Sequence, residues 1–269
     1  MKRFLIMFAV VFSVLALAAC GKKEYAYDGK FTAFKADLNY GAPQLTWVEV
    51  TVEKGKVTKF YIDALQTKDG VWNAKTKKEL KEEYGMKEVS EIGKEWYEQA
   101  EVIEAFFLSD GPDKLKLDKD GYIDGLAGAT VIGSTYKELA LDALDNAKKG
   151  IYTAFLADLN YGAPQLTWVN VTYEGKKVKS FYIDALQTKD GVWNAKTKKE
   201  LKEEYGMKAV SEIGKEWYEQ AEVIEAFFLS DGPDKLKLDK DGYIDGLAGA
   251  TVIGTTYKNL AIKALGYKK

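Results

Sequence analysis

The chain has no histidine, one cysteine and, at position 3, one arginine. Without histidine it lacks the commonest metal ligand and the usual general base. With Cys20 alone it can form neither an intrachain disulfide nor a thiolate-held iron–sulfur cluster, and haem held by histidine or cysteine is excluded too. Beyond Arg3, an anion can be gripped only by lysine, hydroxyls or backbone N–H groups, because no guanidinium fork is present. Redox chemistry in such a chain requires an organic cofactor.

Met1, Lys2 and Arg3 precede a stretch from Phe4 to Ala19 that is apolar except for Ser13. These are signal-peptide dimensions, too short and wrongly flanked for a comfortable membrane span. The stretch ends in Leu17-Ala18-Ala19-Cys20-Gly21, which resembles the bacterial lipobox, whose cysteine is acylated and becomes the new N-terminus. The expectation is a signal peptide over 1–19 and a lipid anchor with a short linker over 20–29. Membrane lipid is then a partner through acylated Cys20, each buried methylene adding about 0.8 kcal/mol. The remainder would lie on the extracytoplasmic face of a bacterial membrane. Loss of Lys2 and Arg3 takes Lys+Arg from 39 to 37 against 41 Asp+Glu, a mature net charge of −4. The charges are interspersed, with no long basic run, which argues against nucleic acid as a partner.

The segment Ala36–Trp47 recurs as Ala157–Trp168, a period of 121 residues. Between Ala36 and Lys137 eight positions differ from their mates, and five of the eight fall within Val52–Lys59, read as an exposed hairpin turn where substitution costs little. A repeat this long buries its own core and is a domain, not a solenoid unit. Two domains are expected, 30–149 and 150–269, joined so closely at Ala147–Ile151 that they should sit in contact or nearly so. Within each, Phe31–Leu38 reads as a strand, and Leu45–Val52 and Val57–Ala64 as a hairpin. Lys75–Tyr84 reads as a helix. A second helix opens at Ser90 and carries Trp96, Ala100, Ile103 and Phe107 at helical spacing. Leu115, Leu117, Tyr122 and Ile123 flank a second hairpin turn at Asp118–Gly121, and a closing helix runs from Ser134 to Ala147. Strands and helices mix without a βαβ rhythm, so the fold class is α+β: two tandem repeats, each an antiparallel sheet packed with helices.

The strongest local signal is Asp124-Gly125-Leu126-Ala127-Gly128-Ala129-Thr130, repeated as Asp245–Thr251. Small residues let a ligand approach the backbone, and a helix start offers free N–H groups to a phosphate. On the residues alone, a plain glycine-rich turn with Thr130 capping the next helix is the favoured reading. The segment resembles the flavinylation motif of the bacterial FMN-binding domain family: an aspartate, two variable residues, then Ser/Thr-Gly-Ala-Thr. That family includes the flavin-carrying subunits of sodium-pumping NADH:quinone reductase and RNF complexes, and tandem-domain lipoproteins of extracellular electron transfer. The resemblance implies FMN esterified through its phosphate to Thr130 and Thr251 by a flavin transferase, in preference to non-covalent FMN in the same cleft. Asp124 and Asp245 match the leading acid; Gly128 and Ala129, with Gly249 and Ala250, match the turn. Ala127 and Ala248 depart from the family's Ser or Thr.

Ten aromatics are candidates to line a flavin ring: Trp47, Trp72, Trp96, Tyr84 and Tyr97, and in the second copy Trp168, Trp193, Trp217, Tyr205 and Tyr218. Each is also an ordinary core residue by type. Asp118–Asp124 has a faint calcium-loop pattern but lacks a bidentate Glu at the twelfth position, where Ala129 stands, so a hairpin turn accounts for it better. The functional expectation is an electron carrier with an FMN in each repeat, fed by a membrane electron donor, more an electron-transfer protein than a stand-alone enzyme. The alternatives are a flavin-free lipoprotein that binds a small ligand or partner in each cleft, and a surface protein whose duplication raises avidity.

Overall fold

A computed structural model describes residues 24–269. The proposed signal peptide and Cys20 lie outside the described residues. No helix among those residues is long and apolar enough to cross a membrane.

The first unit opens with β1 (Gly29–Asn39), β2 (Ala42–Glu53), β3 (Lys56–Lys68) and the short β4 (Val71–Trp72), an antiparallel sheet in sequential order. The tip between β2 and β3 is Lys54–Gly55, both residues with positive φ, as a type I′ turn requires. In the second unit the mates are Gly175–Lys176, and there only Gly175 has positive φ, the II′ signature. Each tip thus carries the residue order its own turn type demands.

The expected helix at Lys75–Tyr84 is shorter. α1 spans Lys77–Leu80 behind a Thr76–Glu79 capping box, and Lys81, at φ 49°, tips the chain into a 3-10 turn over Lys81–Tyr84. α2 begins at Trp96, not Ser90, and ends at Ser109. Gly93 stands at φ 61°, and Glu95 caps the helix reciprocally with Glu98. The Glu95 carboxylate also accepts the N–H groups of Met86 and Lys87, tying the preceding loop to the helix start. α3 (Ser134–Lys149) closes the unit, lying across β1 and β2 while α2 lies across β3. Its last turn ends on Gly150 in the left-handed region, and β5 starts one residue later.

The second unit repeats the plan with β5 (Ile151–Asn160), β6 (Ala163–Glu174), β7 (Lys177–Lys189), β8 (Val192–Trp193), α4 (Lys198–Leu201), α5 (Trp217–Ser230) and α6 (Thr255–Leu265). Fold class and duplication are therefore as read: two similar α+β units, each a four-stranded antiparallel sheet packed with helices.

The units meet through an approximate two-fold arrangement. Phe34 lies 5.3 Å from Trp168, and its mate Phe155 lies 5.4 Å from Trp47. Phe34 and Phe155 are 5.7 Å apart, as are Trp72 and Trp193 at 6.0 Å. Trp72 donates its indole N–H to the carbonyl of Asp158 at 2.8 Å, and Trp193 donates to that of Asp37 at 2.9 Å. Such reciprocal pairing is the isologous pattern of a two-fold dimer, here within one chain. One continuous apolar cluster runs through both units.

The two-fold is broken at one pole, where the chain ends meet. Gly29 bridges Lys268, and the Lys30 N–H donates to the Tyr267 carbonyl. A side chain at Gly29 would strike that carbonyl at 2.1 Å. Tyr25 is buried, and the Tyr27 hydroxyl donates to the Tyr173 carbonyl and accepts from the Gly175 N–H. Tyr173 stacks edge-on against the wholly buried Tyr152 and lies under the Lys268 ammonium. The differences within Val52–Lys59 are thus not all idle surface change. Val52 is fully buried, and its mate Tyr173 packs against a C-terminal tail that the first unit lacks.

Candidate functional site

The motif loop is closed by a small hairpin. Leu117 bridges Ile123 and Tyr122 bridges Ile132, while the Ile123 N–H donates to the Val131 carbonyl and that of Gly133 to Gly121. At its other end, Asp118 accepts the N–H groups of Asp120 and Tyr122, which makes Asp118–Gly121 a side-chain-stabilised turn. Between Ile123 and Val131 the chain bulges out as Asp124–Thr130. Gly125 and Gly128 both have positive φ, at 74° and 94°, so the bulge needs glycine at these two points. Asp124 is exposed, Ala129 is buried, and Thr130 is half-buried.

Thr130 does not cap α3. It stands four residues before the helix, whose N-cap is Gly133 with no side-chain cap. Instead it faces Gln99 of α2. The Gln99 carboxamide oxygen accepts the Thr130 N–H at 2.9 Å and lies 3.4 Å from the Thr130 hydroxyl. Gln99 is fully buried, and its amide N–H₂ donates to Ser90 Oγ and the Lys94 carbonyl, which fixes the carboxamide's direction. Lys94 also reaches the loop: a Cβ on Gly128 would sit 3.1 Å from its ammonium. The second unit repeats these contacts with Gln220, Thr251, Lys215 and Gly249.

Thr130 lies on the wall of a cleft of about 1120 Å³. This lies at or above the upper end of the usual range for small-molecule sites, about 300–1,000 Å³. Trp96, Tyr84 and Tyr136 face it, with Gln66 and Asn73 as amide donors and acceptors and Lys77 as a cation. The Trp96 indole N–H donates to the Tyr136 hydroxyl at 3.0 Å, and burial pushes that phenol up to about 12. Lys77 sits over the rings of Tyr84 and Trp96, 5.2 and 5.5 Å from their centroids. Burial lowers its pKa to about 8, against the opposing pull of Asp37 and Asp63. In the second unit Lys198 is lowered in the same way beside Tyr205 and Trp217.

Of the ten aromatics considered for a flavin wall, Trp96 and Tyr84 line this cleft. Trp47, Trp72, Trp168 and Trp193 hold the units together instead. Tyr97 and Tyr218 bond the carboxylates of Glu82 and Glu203 at the surface. The sequence reading missed Gln99, Lys94 and Lys77. Gln99 had left a trace, being the polar residue on the apolar stripe of Trp96, Ala100, Ile103 and Phe107. A smaller cavity of about 270 Å³ lies between the units, bordered by Asp142, Asn146, Trp168 and Asn170 and away from the motif.

An FMN-sized group suits this set of residues: aromatic rings and amides around a large cleft, a buried cation, and a threonine hydroxyl on the wall with a lysine beside the glycine turn. No protein-family model and no curated protein matches the chain. A solution NMR structure of a structural-genomics target from Clostridium thermocellum is similar at 32% identity, covering 45% of this chain and 92% of that one, with a TM-score of 0.33.

Proposed function

We propose that the protein is a lipid-anchored electron carrier that holds one FMN in each unit, esterified to Thr130 and Thr251. The observation that carries this reading is the position of Thr130: the last residue of the Gly-Ala-Thr turn stands on the wall of the one large cleft described here, against a buried glutamine. Attachment would form a bond from Thr130 Oγ1 to the flavin phosphorus of a flavin dinucleotide donor carried by the transferase, as the donor's P–O–P bridge breaks; the nucleoside monophosphate would leave and the hydroxyl proton pass to solvent. Gln99 orients this step, since its carboxamide oxygen accepts from both the amide and the hydroxyl of the threonine. Lys94, whose ammonium lies beside Gly128 two residues before the acceptor, offers a positive charge for a phosphodiester, which suits a chain without usable arginine. When bound, FMN supplies reversible one- or two-electron chemistry.

The chain's own residues set the surroundings of that chemistry. Trp96, Tyr84 and Tyr136 exclude water and offer ring faces. Lys77 brings a positive charge that favours a flavin taking up electrons, and Gln66 and Asn73 offer hydrogen bonds to its polar edge. Outer-sphere transfer asks for no general base, and none is proposed. A flavin transferase and a membrane electron donor are the implied partners. The test is the absorption spectrum of protein made with an exported flavin transferase and then denatured and gel-filtered. Flavin absorbance should stay with the polypeptide. Colourless polypeptide that also fails to take up added FMN at micromolar concentrations overturns the reading in both its covalent and its non-covalent form.

A further inference from the structure

We infer that the pole where the chain ends meet is a basic docking surface for an anionic phospholipid bilayer, and that it turns both cofactor clefts away from the membrane. This inference rests on the lipid-anchor reading of Cys20. The surface itself is built from described residues.

From Glu24 onward the chain is held against the body. The N–H groups of Glu24 and Tyr25 both donate to the Gly55 carbonyl at the first hairpin tip, and Gly55 in turn donates to Asp28. Tyr27 reaches the second tip at Gly175. Cys20 therefore lies four residues from a fixed point, and four extended residues span at most about 14 Å. An acyl chain on Cys20 must bring this pole, and no other part of the body, to the bilayer.

The pole is charged to suit. Lys54 and Lys56 flank the first tip, and Lys176, Lys177 and Lys179 crown the second. Lys268 and Lys269 close the C-terminal tail beside them, with Lys268 donating to the Gly175 carbonyl and Lys269 paired with Glu53. Against these seven lysines stand four carboxylates, Glu24, Asp28, Glu53 and Glu174, leaving this pole at +3. The mature chain is −4, so the remainder carries −7. Charge attraction fades over about 10 Å at 0.1 M salt, so the lysines act only on a surface the tether has already brought close.

The first unit's cleft lies at the far end, and the second unit's matching residues take the equivalent place. β2 runs from Ala42, on the cleft wall, to Glu53, beside the Glu24–Asp28 segment. At about 3.3 Å per residue its ends are some 35 Å apart along the strand. Redox partners would then reach the clefts from the aqueous side.

The test uses the mature chain as Cys20→Ser, which removes acylation, with vesicles of one-third phosphatidylglycerol in phosphatidylcholine or of phosphatidylcholine alone. Binding to the anionic vesicles at low salt is expected, with loss at about 0.5 M salt. Changing Lys54, Lys56, Lys176 and Lys177 together to Gln should weaken it by about tenfold or more with the circular dichroism unchanged. Absence of binding, or binding the four changes leave intact, overturns the inference. In acylated protein, a bimane label on Lys176→Cys should be quenched by brominated lipid, and one on Tyr161→Cys at the cleft end should not. The reverse pattern also overturns it. The mass of Cys20 in the wild-type protein reports the anchor reading separately.

Discussion

Gln99, which holds Thr130, and Lys77, which lines the cleft of the first unit, can each be tested alone. Replacing Gln99 by Leu leaves the Thr130 N–H without its acceptor in a half-buried loop, at a cost of about 1–3 kcal/mol. Flavin on Thr130 should fall while flavin on Thr251 stays, since Gln220 is untouched; peptide mapping of the two threonines reads the ratio. Lys77 and Lys198 offer a pH test that needs no cofactor. Their folded pKa values are lowered to about 8, while the unfolded chain keeps the ordinary 10.5. Between these values the unfolded state binds more protons, so stability rises with pH across that window. A Lys77→Met/Lys198→Met variant lacks this term. It should melt above the parent at pH 7, with the gap narrowing towards about pH 9.5. Above pH 10 the tyrosines whose pKa values burial raises, Tyr136 and Tyr257 among them, act with the opposite sign. Gln99 could have been read from the sequence as a polar break in an apolar helix stripe. Lys77 could not, because a lysine in a Lys/Glu-rich segment looks like any solvated lysine until packing removes its water.

Strands were the most legible elements, because one buried face imposes alternation over ten or more residues. The stretches predicted for the first strand and the hairpin strands lie within the observed strands, which run a few residues further at each end. Helix starts were less legible. Ser90 has the chemistry of an N-cap, but Gly93 takes a left-handed turn, and the cap falls to Glu95 because its carboxylate also serves Met86 and Lys87. No local pattern announces that second duty. Glu95→Ala should release the Met86–Ser90 loop and cost about 1–2 kcal/mol, visible as faster amide exchange at Met86 and Lys87. In the motif loop, Gly128 is required by its φ of 94°, and a Cβ there would also press on the Lys94 ammonium, 3.1 Å away. Gly128→Ala should therefore lower flavin attachment at Thr130 while the second unit is modified normally.

At the scale of the whole molecule the duplication is plain in the sequence, but its use is not. Periodicity cannot tell a tryptophan buried in its own unit from one buried in its neighbour, which is why Trp47, Trp72, Trp168 and Trp193 read as ring-binding candidates. Their reciprocal contacts make one body of two copies, so calorimetry should show a single unfolding transition. Tyr152→Ala, which empties a fully buried site between the units and the Glu24–Asp28 segment, should cost about 3–5 kcal/mol and split that transition. The central claim, that each copy carries one esterified flavin, is tested most directly by intact-mass spectrometry of protein made with an active exported flavin transferase. Wild type should carry up to two FMN groups, Thr130→Ala and Thr251→Ala one fewer each, and the folded double variant none. Wild-type protein at its unmodified mass, or flavin retained covalently by the double variant, would contradict the account.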